Sequence, residues 1–234
     1  MAAKFPGKRR FLTVVLAVCV FLRVCAVAAP AAGQTANRPE VIRLEGTPED
    51  IGRRHGIKLR DEIRLMLREY VGDDLEEPAR RQKLIARVRA FKPELPDWYR
   101  KELSACAEAA GVDEDVLLYA QCEGDVKSLP GCTVYAAFGE ATEGGKMEIG
   151  RNFDYWGLDS TEKCVRVFAV HPRKKDGLAF VSVGWTGILG GWTFYNEKGL
   201  FVGNILGGYA KKNPKGFPSL NFTDILPLSG VSNA

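Results

Sequence analysis

Histidine and cysteine are scarce in this chain, which limits the metal sites that it can form. Its 234 residues include two histidines, His55 and His171, and six cysteines. No two cysteines are spaced as C-x-x-C, and four cysteines after residue 29 are too few for a small disulfide-held domain. The sequence therefore predicts neither a structural zinc site nor another metal site.

Long apolar runs are absent except near the N-terminus. Lys8-Arg9-Arg10 precedes the apolar run Phe11–Leu22, and Ala26-Val27-Ala28 follows with the small-x-small pattern of a signal peptidase site. Arg23 interrupts the run, which disfavours a membrane anchor. We expect residues 1–29 to be a signal peptide, the protein to be secreted or periplasmic, and no membrane association after the signal is removed.

An excess of one charge is also lacking. Residues 1–29 hold five of the 33 basic residues and none of the 29 acidic ones, so the remainder is close to neutral. The net charge of +4 therefore gives no reason to expect a nucleic-acid partner.

The disulfide state has two interpretations. In an oxidising compartment Cys106 and Cys122 could form a bridge. Buried thiols at Cys106, Cys122 and Cys164 fit the sequence equally well.

The chain changes character at Cys132. Ahead of it, apolar residues recur at helical spacing from Ile51 to Tyr70, and Thr47-Pro48-Glu49-Asp50 is typical of a helix start. Three more helices are predicted at about 79–90, at 97–111 and from 113 onward. After Cys132, short segments rich in β-branched and aromatic residues predict strands: 133–138, 146–153, 164–170, 178–183, 192–195 and 200–205. A helical segment 30–131 followed by a β segment 132–234 predicts an α+β protein.

The first two strands should pair as a hairpin around Glu143-Gly144-Gly145. A centre near Glu143 would place Cys132 opposite Asp154 and Tyr135 opposite Arg151. A thiol beside a cation and a carboxylate has the surroundings of an active nucleophile.

These motifs resemble those of the penicillin acyltransferase-like cysteine N-terminal-nucleophile hydrolases, which are related to bile salt hydrolases. The resemblance extends from about residue 41 to residue 220. The matching segments are Gly46–Gly52 with His55-Gly56, Gly131-Cys132-Thr133, Gly150–Trp156, Asn196–Leu200 with Asn204, and Gly216–Ser219.

The resemblance implies a fold, a reaction and a set of site residues. The fold is a four-layer αββα sandwich preceded by a helical pro-segment, and we expect the C-terminal part of that sandwich to be missing here. Cys132 matches the nucleophile, and Gly131–Cys132 matches the bond that autoproteolysis cuts. Arg151 and Asp154 match residues around the thiol and its freed amine, and Asn204 matches an oxyanion-stabilising position. No cofactor is implied, and the partner is a small-molecule acyl amide.

Two alternatives remain for the function. One is a degenerate, non-catalytic fragment of this family, and the other is a papain-like protease that pairs Cys132 with a histidine. His55 lies on the apolar side of its helix, so we interpret it as a packed or capping residue.

Several other conspicuous residues have structural interpretations. Asn196 is interpreted as a turn residue. Trp156, Trp185 and Trp192 are interpreted as core residues more than as a substrate platform.

Overall fold

The computed structural model describes residues 40–127, 132–153 and 159–205. The predicted signal peptide, Gly131, Asp154, Trp156 and the segment Gly216–Ser219 lie outside these residues. The helices are α1 (Pro48–Lys58), α2 (Arg60–Glu76), α3 (Pro78–Phe91), α4 (Asp97–Ala110), α5 (Glu114–Lys127) and α6 (Asp159–Glu162), with a short 3-10 helix at Lys92–Glu94. The strands are β1 (Val41–Gly46), β2 (Cys132–Gly139), β3 (Gly145–Phe153), β4 (Val165–Pro172), β5 (Phe180–Trp185), β6 (Thr193–Asn196) and β7 (Phe201–Gly203).

The first helix begins where the sequence predicts. Thr47 and Asp50 form a capping box, in which Thr47 Oγ1 accepts a hydrogen bond from Asp50 N at 3.1 Å and Asp50 Oδ2 accepts one from Thr47 N at 3.0 Å. The single helix expected from Ile51 to Tyr70 is wrong, because Leu59 leaves helical geometry and separates α1 from α2. Leu59 N still donates to His55 O, and Leu59 O still accepts from Ile63 N, so the apolar periodicity continues across the break.

Helices α1 and α4 pack with their backbones in close contact. A Cβ added at Gly56 would lie 2.5 Å from Cys106 O, and one added at Gly52 would overlap Glu102 O. At the end of α4, Arg60 and Arg64 donate hydrogen bonds to the carbonyl oxygens of Ala109 and Ala110. Two glycines four residues apart thus allow α1 to approach α4 at a distance that no larger residue permits.

One sheet includes strands from both sides of Cys132. Its order is β1-β4-β5-β6-β7, with β1 parallel to β4 and the other neighbours antiparallel. The region before Cys132 is therefore not entirely helical, because it also contains the strand β1. This strand has only six residues, and they alternate between exposed and buried positions. The described residues on both sides of Cys132 share one sheet and one core, and the prediction of an α+β protein is confirmed.

The two faces of this sheet differ. Ile42 and Phe168 on one face are buried in the core that includes the helices, and Phe194 on the same face is buried as well. On the opposite face Val41, Val181, Val183 and Tyr195 are exposed, at 56%, 45%, 45% and 52%. One face of the sheet is thus covered, and the other exposes large apolar residues together with Arg43 and Glu45 of β1.

Three of the described cysteines lie outside the hairpin and are packed residues. Cys106, Cys122 and Cys164 are buried thiols, and the structure contains no Cys106–Cys122 disulfide. Of the two interpretations of the disulfide state, the structure supports the one with buried thiols.

Across 40–127, 132–153 and 159–205, none of the helices combines the length and hydrophobicity that a membrane span requires.

Candidate active site around Cys132

The β2–β3 hairpin positions Cys132 at its open end. The observed pairs are Cys132 with Phe153, Val134 with Arg151, and Tyr135 with Gly150. The predicted register, with Tyr135 opposite Arg151, is wrong by one residue. The centre of the observed pairing lies between Thr142 and Glu143 instead of at Glu143. An irregularity between Ala137 and Gly139 also shifts the pairing near the tip of the hairpin.

This register places the thiol and the guanidinium on one face of the hairpin. Directly paired residues share a face, so Cys132, Phe153, Val134 and Arg151 all point to the same side. Arg151 Nη2 lies 3.7 Å from Cys132 Sγ, and Cys132 is half-buried whereas the other three cysteines that the structure describes are buried. A cation at this distance stabilises a thiolate relative to a thiol.

Arg151 makes two further contacts besides its approach to Cys132. Its Nη2 donates to Asn204 O at 2.8 Å, and its guanidinium carbon lies 4.6 Å from the centre of the Phe153 ring. Burial lowers the pKa of Arg151, and the negative charge of an ionised Cys132 opposes that shift. Because arginine is so strongly basic, it keeps its positive charge beside the thiol.

The structure brings together three of the five predicted site residues. Cys132, Arg151 and Asn204 meet through the Arg151 guanidinium. The backbone of Asn204 makes the connection, since its carbonyl oxygen accepts from Arg151 and its N–H donates to Trp192 O at 2.9 Å. The oxyanion role of the Asn204 side chain stays a prediction, and Gly131 and Asp154 lie outside the described residues.

An aromatic cluster surrounds Phe153, the residue that pairs with Cys132 across the hairpin. Phe153 stacks on Trp192 with ring centres 4.9 Å apart and meets Trp185 edge-on at 5.7 Å. Trp185 also meets Tyr70 of α2 at 5.2 Å. Both tryptophans are less than a tenth exposed, which confirms their interpretation as core residues.

Two polar side chains from the helices, His55 and Gln121, bond the loop 186–192 that joins β5 to β6, and only His55 was interpreted from the sequence. His55 is buried, as predicted for a packed residue, and its Nε2 accepts a hydrogen bond from Gly187 N at 3.0 Å. Burial lowers the pKa of His55 to about 4, so the ring is neutral near pH 7. Gln121 of α5 bonds the same loop, and its only sequence signal is a polar residue at a position of apolar periodicity.

Asn196 has the turn role that the sequence predicts. Its Oδ1 accepts hydrogen bonds from Lys198 N and Leu200 N, both at 3.0 Å. The side chain thereby closes the connection between β6 and β7.

Within residues 40–127, 132–153 and 159–205, no group of three or more His, Cys, Asp or Glu side chains is arranged to hold a metal ion.

No family model matches the chain. Protein dcd1B of Dictyostelium discoideum is 22% identical to it over 190 residues, a match that covers 71% of this chain and 38% of the relative. The chain thus spans well under half the length of this curated relative, and its similarity to that protein is distant.

Proposed function

We propose that this chain is an autoprocessed cysteine N-terminal-nucleophile hydrolase or acyltransferase that acts on linear amides. The observation that carries the proposal is the 3.7 Å approach of the Arg151 guanidinium to the half-buried thiol of Cys132. Cys132 is also the first residue of its strand, where a new N-terminus can form without removing any strand residue.

The proposed chemistry uses the freed α-amine of Cys132 as the base. Cleavage of Gly131–Cys132 gives one residue both a thiol and an amine, so the amine can accept the thiol proton directly or through water. The thiolate attacks the amide carbonyl, the amine leaves with a proton, and an acyl-enzyme remains. Water then completes hydrolysis, or a second amine completes acyl transfer.

Arg151, Asp154 and Asn204 support this reaction in different ways. Arg151 favours the thiolate through its positive charge. Asp154 holds the amine, and Asn204 donates to the oxyanion of the tetrahedral intermediate. No cofactor is needed, and the substrate is a small-molecule acyl amide outside the cytoplasm.

The five-stranded sheet supports the proposal that the fold is a four-layer αββα sandwich. Helices cover one of its faces, whereas the large apolar residues Val181, Val183 and Tyr195 are exposed on the other. An inner layer of such a sandwich needs a sheet with one face against helices and one against a second sheet.

The surroundings of the histidines disfavour the papain-like alternative. His55 Nε2 is engaged with Gly187 N, and His171 is exposed on β4. A thiol–imidazole pair needs a histidine within hydrogen-bond reach of the sulfur. The described contacts of Cys132 Sγ include Arg151 and neither histidine.

The proposal is tested by mass spectrometry of the purified chain. We expect two fragments, one ending at Gly131 and one beginning at Cys132, and we expect Cys132→Ala to stay uncut. Cys164→Ala is the matched control, because it removes a cysteine from outside the site and should leave cleavage intact. The cleaved protein should then hydrolyse members of a panel of fluorogenic acyl amides.

Each other outcome contradicts the proposal in a specific way. An uncut chain whose Cys132 reacts with iodoacetamide and that cleaves peptides would favour the papain-like protease. An uncut, unreactive chain would favour a non-catalytic protein. If Cys132→Ala is still cut at this bond, an outside protease performs the cleavage.

A further inference from the structure

The loop 186–192, which joins β5 to β6, is held by the two polar side chains that come from the helices. Gly187 N donates to His55 Nε2 at 3.0 Å, and Gly187 O accepts from Gln121 Nε2 at 2.7 Å. Leu189 N donates to Gln121 Oε1 at 2.9 Å. Three backbone groups of the loop therefore receive their partners from α1 and α5, both of which precede Cys132 in the chain.

The loop has little freedom to settle elsewhere. Gly187 has φ of +80°, and a Cβ added there would lie 3.3 Å from both Ile63 and Met66. Ile188 and Leu189 are buried, so the loop is anchored by apolar contacts as well. A loop whose buried backbone groups lose a hydrogen-bond partner tends to rearrange. Rearrangement of this loop would have to move the packed residues Ile188 and Leu189.

The end of the loop at Trp192 is connected to the Cys132 thiol through other residues. Trp192 stacks on Phe153, which pairs with Cys132 across the hairpin. Trp192 O accepts from Asn204 N at 2.9 Å, and Asn204 O accepts from Arg151 Nη2 at 2.8 Å. The same Nη2 lies 3.7 Å from Cys132 Sγ, so the loop backbone together with these hydrogen bonds connects the helices with the candidate nucleophile.

We propose that His55 and Gln121 are positioning residues for the Cys132 thiol. They hold the loop 186–192, the loop positions Asn204, and Asn204 orients the guanidinium of Arg151 beside the sulfur. The inference rests on the proposed function, in which Cys132 is the nucleophile. In this arrangement, residues of the helical segment before Cys132 help to set the geometry of the site.

The experiment measures how iodoacetamide labelling of Cys132 depends on pH, with labelling at Cys132 resolved by peptide mass spectrometry. All variants are compared in the same processing state. His55→Leu removes the acceptor for Gly187 N, so Arg151 should be less well placed and the midpoint of labelling should rise. A rise of about half a pH unit would lower the labelling rate about threefold on the acid side of the midpoint.

Two further variants separate positioning from general destabilisation. His55→Gln retains an oxygen that can accept from Gly187 N, so it should restore the parental midpoint. His171→Leu makes the same substitution at the other, exposed histidine and should leave the midpoint unchanged. Circular dichroism shows which variants are folded, and if His55→Leu does not fold, Gln121→Met takes its place, because it removes the donor to Gly187 O at similar side-chain length and adds no titratable group.

A double-mutant cycle tests the proposed route through Arg151. In an Arg151→Ala background the His55 or Gln121 substitution should cause no further shift. A folded His55 or Gln121 variant with the parental midpoint would overturn the proposal, and so would a shift of equal size with and without Arg151. Failure of the proposed function would instead show as an uncut chain without amide hydrolysis, neither of which this labelling experiment measures.

Discussion

At the residue scale, His55 is the clearest case of a titratable group whose environment decides its behaviour. Its ring is 2% exposed, packs 5.0 Å from the Phe168 ring centre, and accepts a hydrogen bond from Gly187 N through Nε2. The proton of the neutral ring therefore sits on Nδ1. A second proton would abolish the acceptor at Nε2 and place a charge in the core.

This burial predicts a pH-dependent loss of stability. The pKa of His55 is about 4 in the folded protein and about 6.5 in an unfolded chain, so the unfolded state binds more protons between these values. Its contribution to stability is complete above pH 6.5 and is lost as the pH falls towards 4. Relative to His55→Gln, the parent should lose about 2 kcal/mol of unfolding free energy between pH 7.5 and pH 5.

Urea unfolding at the two pH values measures this difference. Comparison with His55→Gln removes the contributions of the carboxyl groups, which titrate in both proteins. His171→Gln is the control and should change with pH as the parent does. Parallel pH profiles for the parent and His55→Gln would show that His55 does not titrate in this range.

At the scale of elements, the α1–α4 contact depends on the absence of side chains at two positions. Gly52 and Gly56 are four residues apart and face the backbone of α4, where Glu102 and Cys106 present carbonyl oxygens. Helices that approach this closely gain dispersion contacts along their backbones. The same proximity leaves no room for a methyl group.

Alanine substitutions should therefore have opposite effects at two helical glycines. Gly56→Ala should lower the free energy of unfolding by about 2 kcal/mol or more, because its Cβ would lie 2.5 Å from Cys106 O. Gly72→Ala in α2 is the matched control, since its Cβ would meet only Arg68 Cγ at 3.9 Å. That substitution should raise the free energy of unfolding by about 0.5–1 kcal/mol through lower backbone entropy in the unfolded chain.

Thermal and urea unfolding of the two variants test this prediction. Equal effects of Gly56→Ala and Gly72→Ala would mean that α1 and α4 can separate at little cost. The close packing of their backbones would then not be a source of stability.

At the scale of the whole molecule, the two segments on either side of the predicted cleavage point are interdependent. Strand β1 pairs with β4 from Val41–Val167 to Gly46–Pro172. His55 and Gln121 hold the loop after β5 from the other side of the cleavage point. Breaking the peptide bond before Cys132 removes none of these contacts.

We therefore expect the two fragments to remain associated after cleavage. Cleaved protein should elute from size-exclusion chromatography at the volume of uncut Cys132→Ala and should separate only in denaturant. If the chain does not cut itself, a protease site introduced in residues 128–131 allows the same comparison. Fragments that elute separately without denaturant would contradict the shared core.

Local sequence patterns determined most of the elements and one part of the site. The capping box at Thr47, the helix end at Gly111 and the hairpin around residue 143 depend on interactions within a few residues, which a linear pattern records. The pairing of Cys132 with the region of Arg151 follows from one short turn. The register predicted for this hairpin is wrong by one residue, because the irregularity near Gly139 has no separate sequence signal.

Tertiary structure alone decided the rest, because the contacts concerned join residues far apart in the chain. The break at Leu59 keeps the helical spacing and is therefore invisible in it. The parallel pairing of β1 with β4 and the hydrogen bond of Gly187 to His55, 132 residues away, depend on how the elements pack. A sequence read in order shows that a polar residue lies on an apolar face, but only the folded chain shows which backbone group satisfies it.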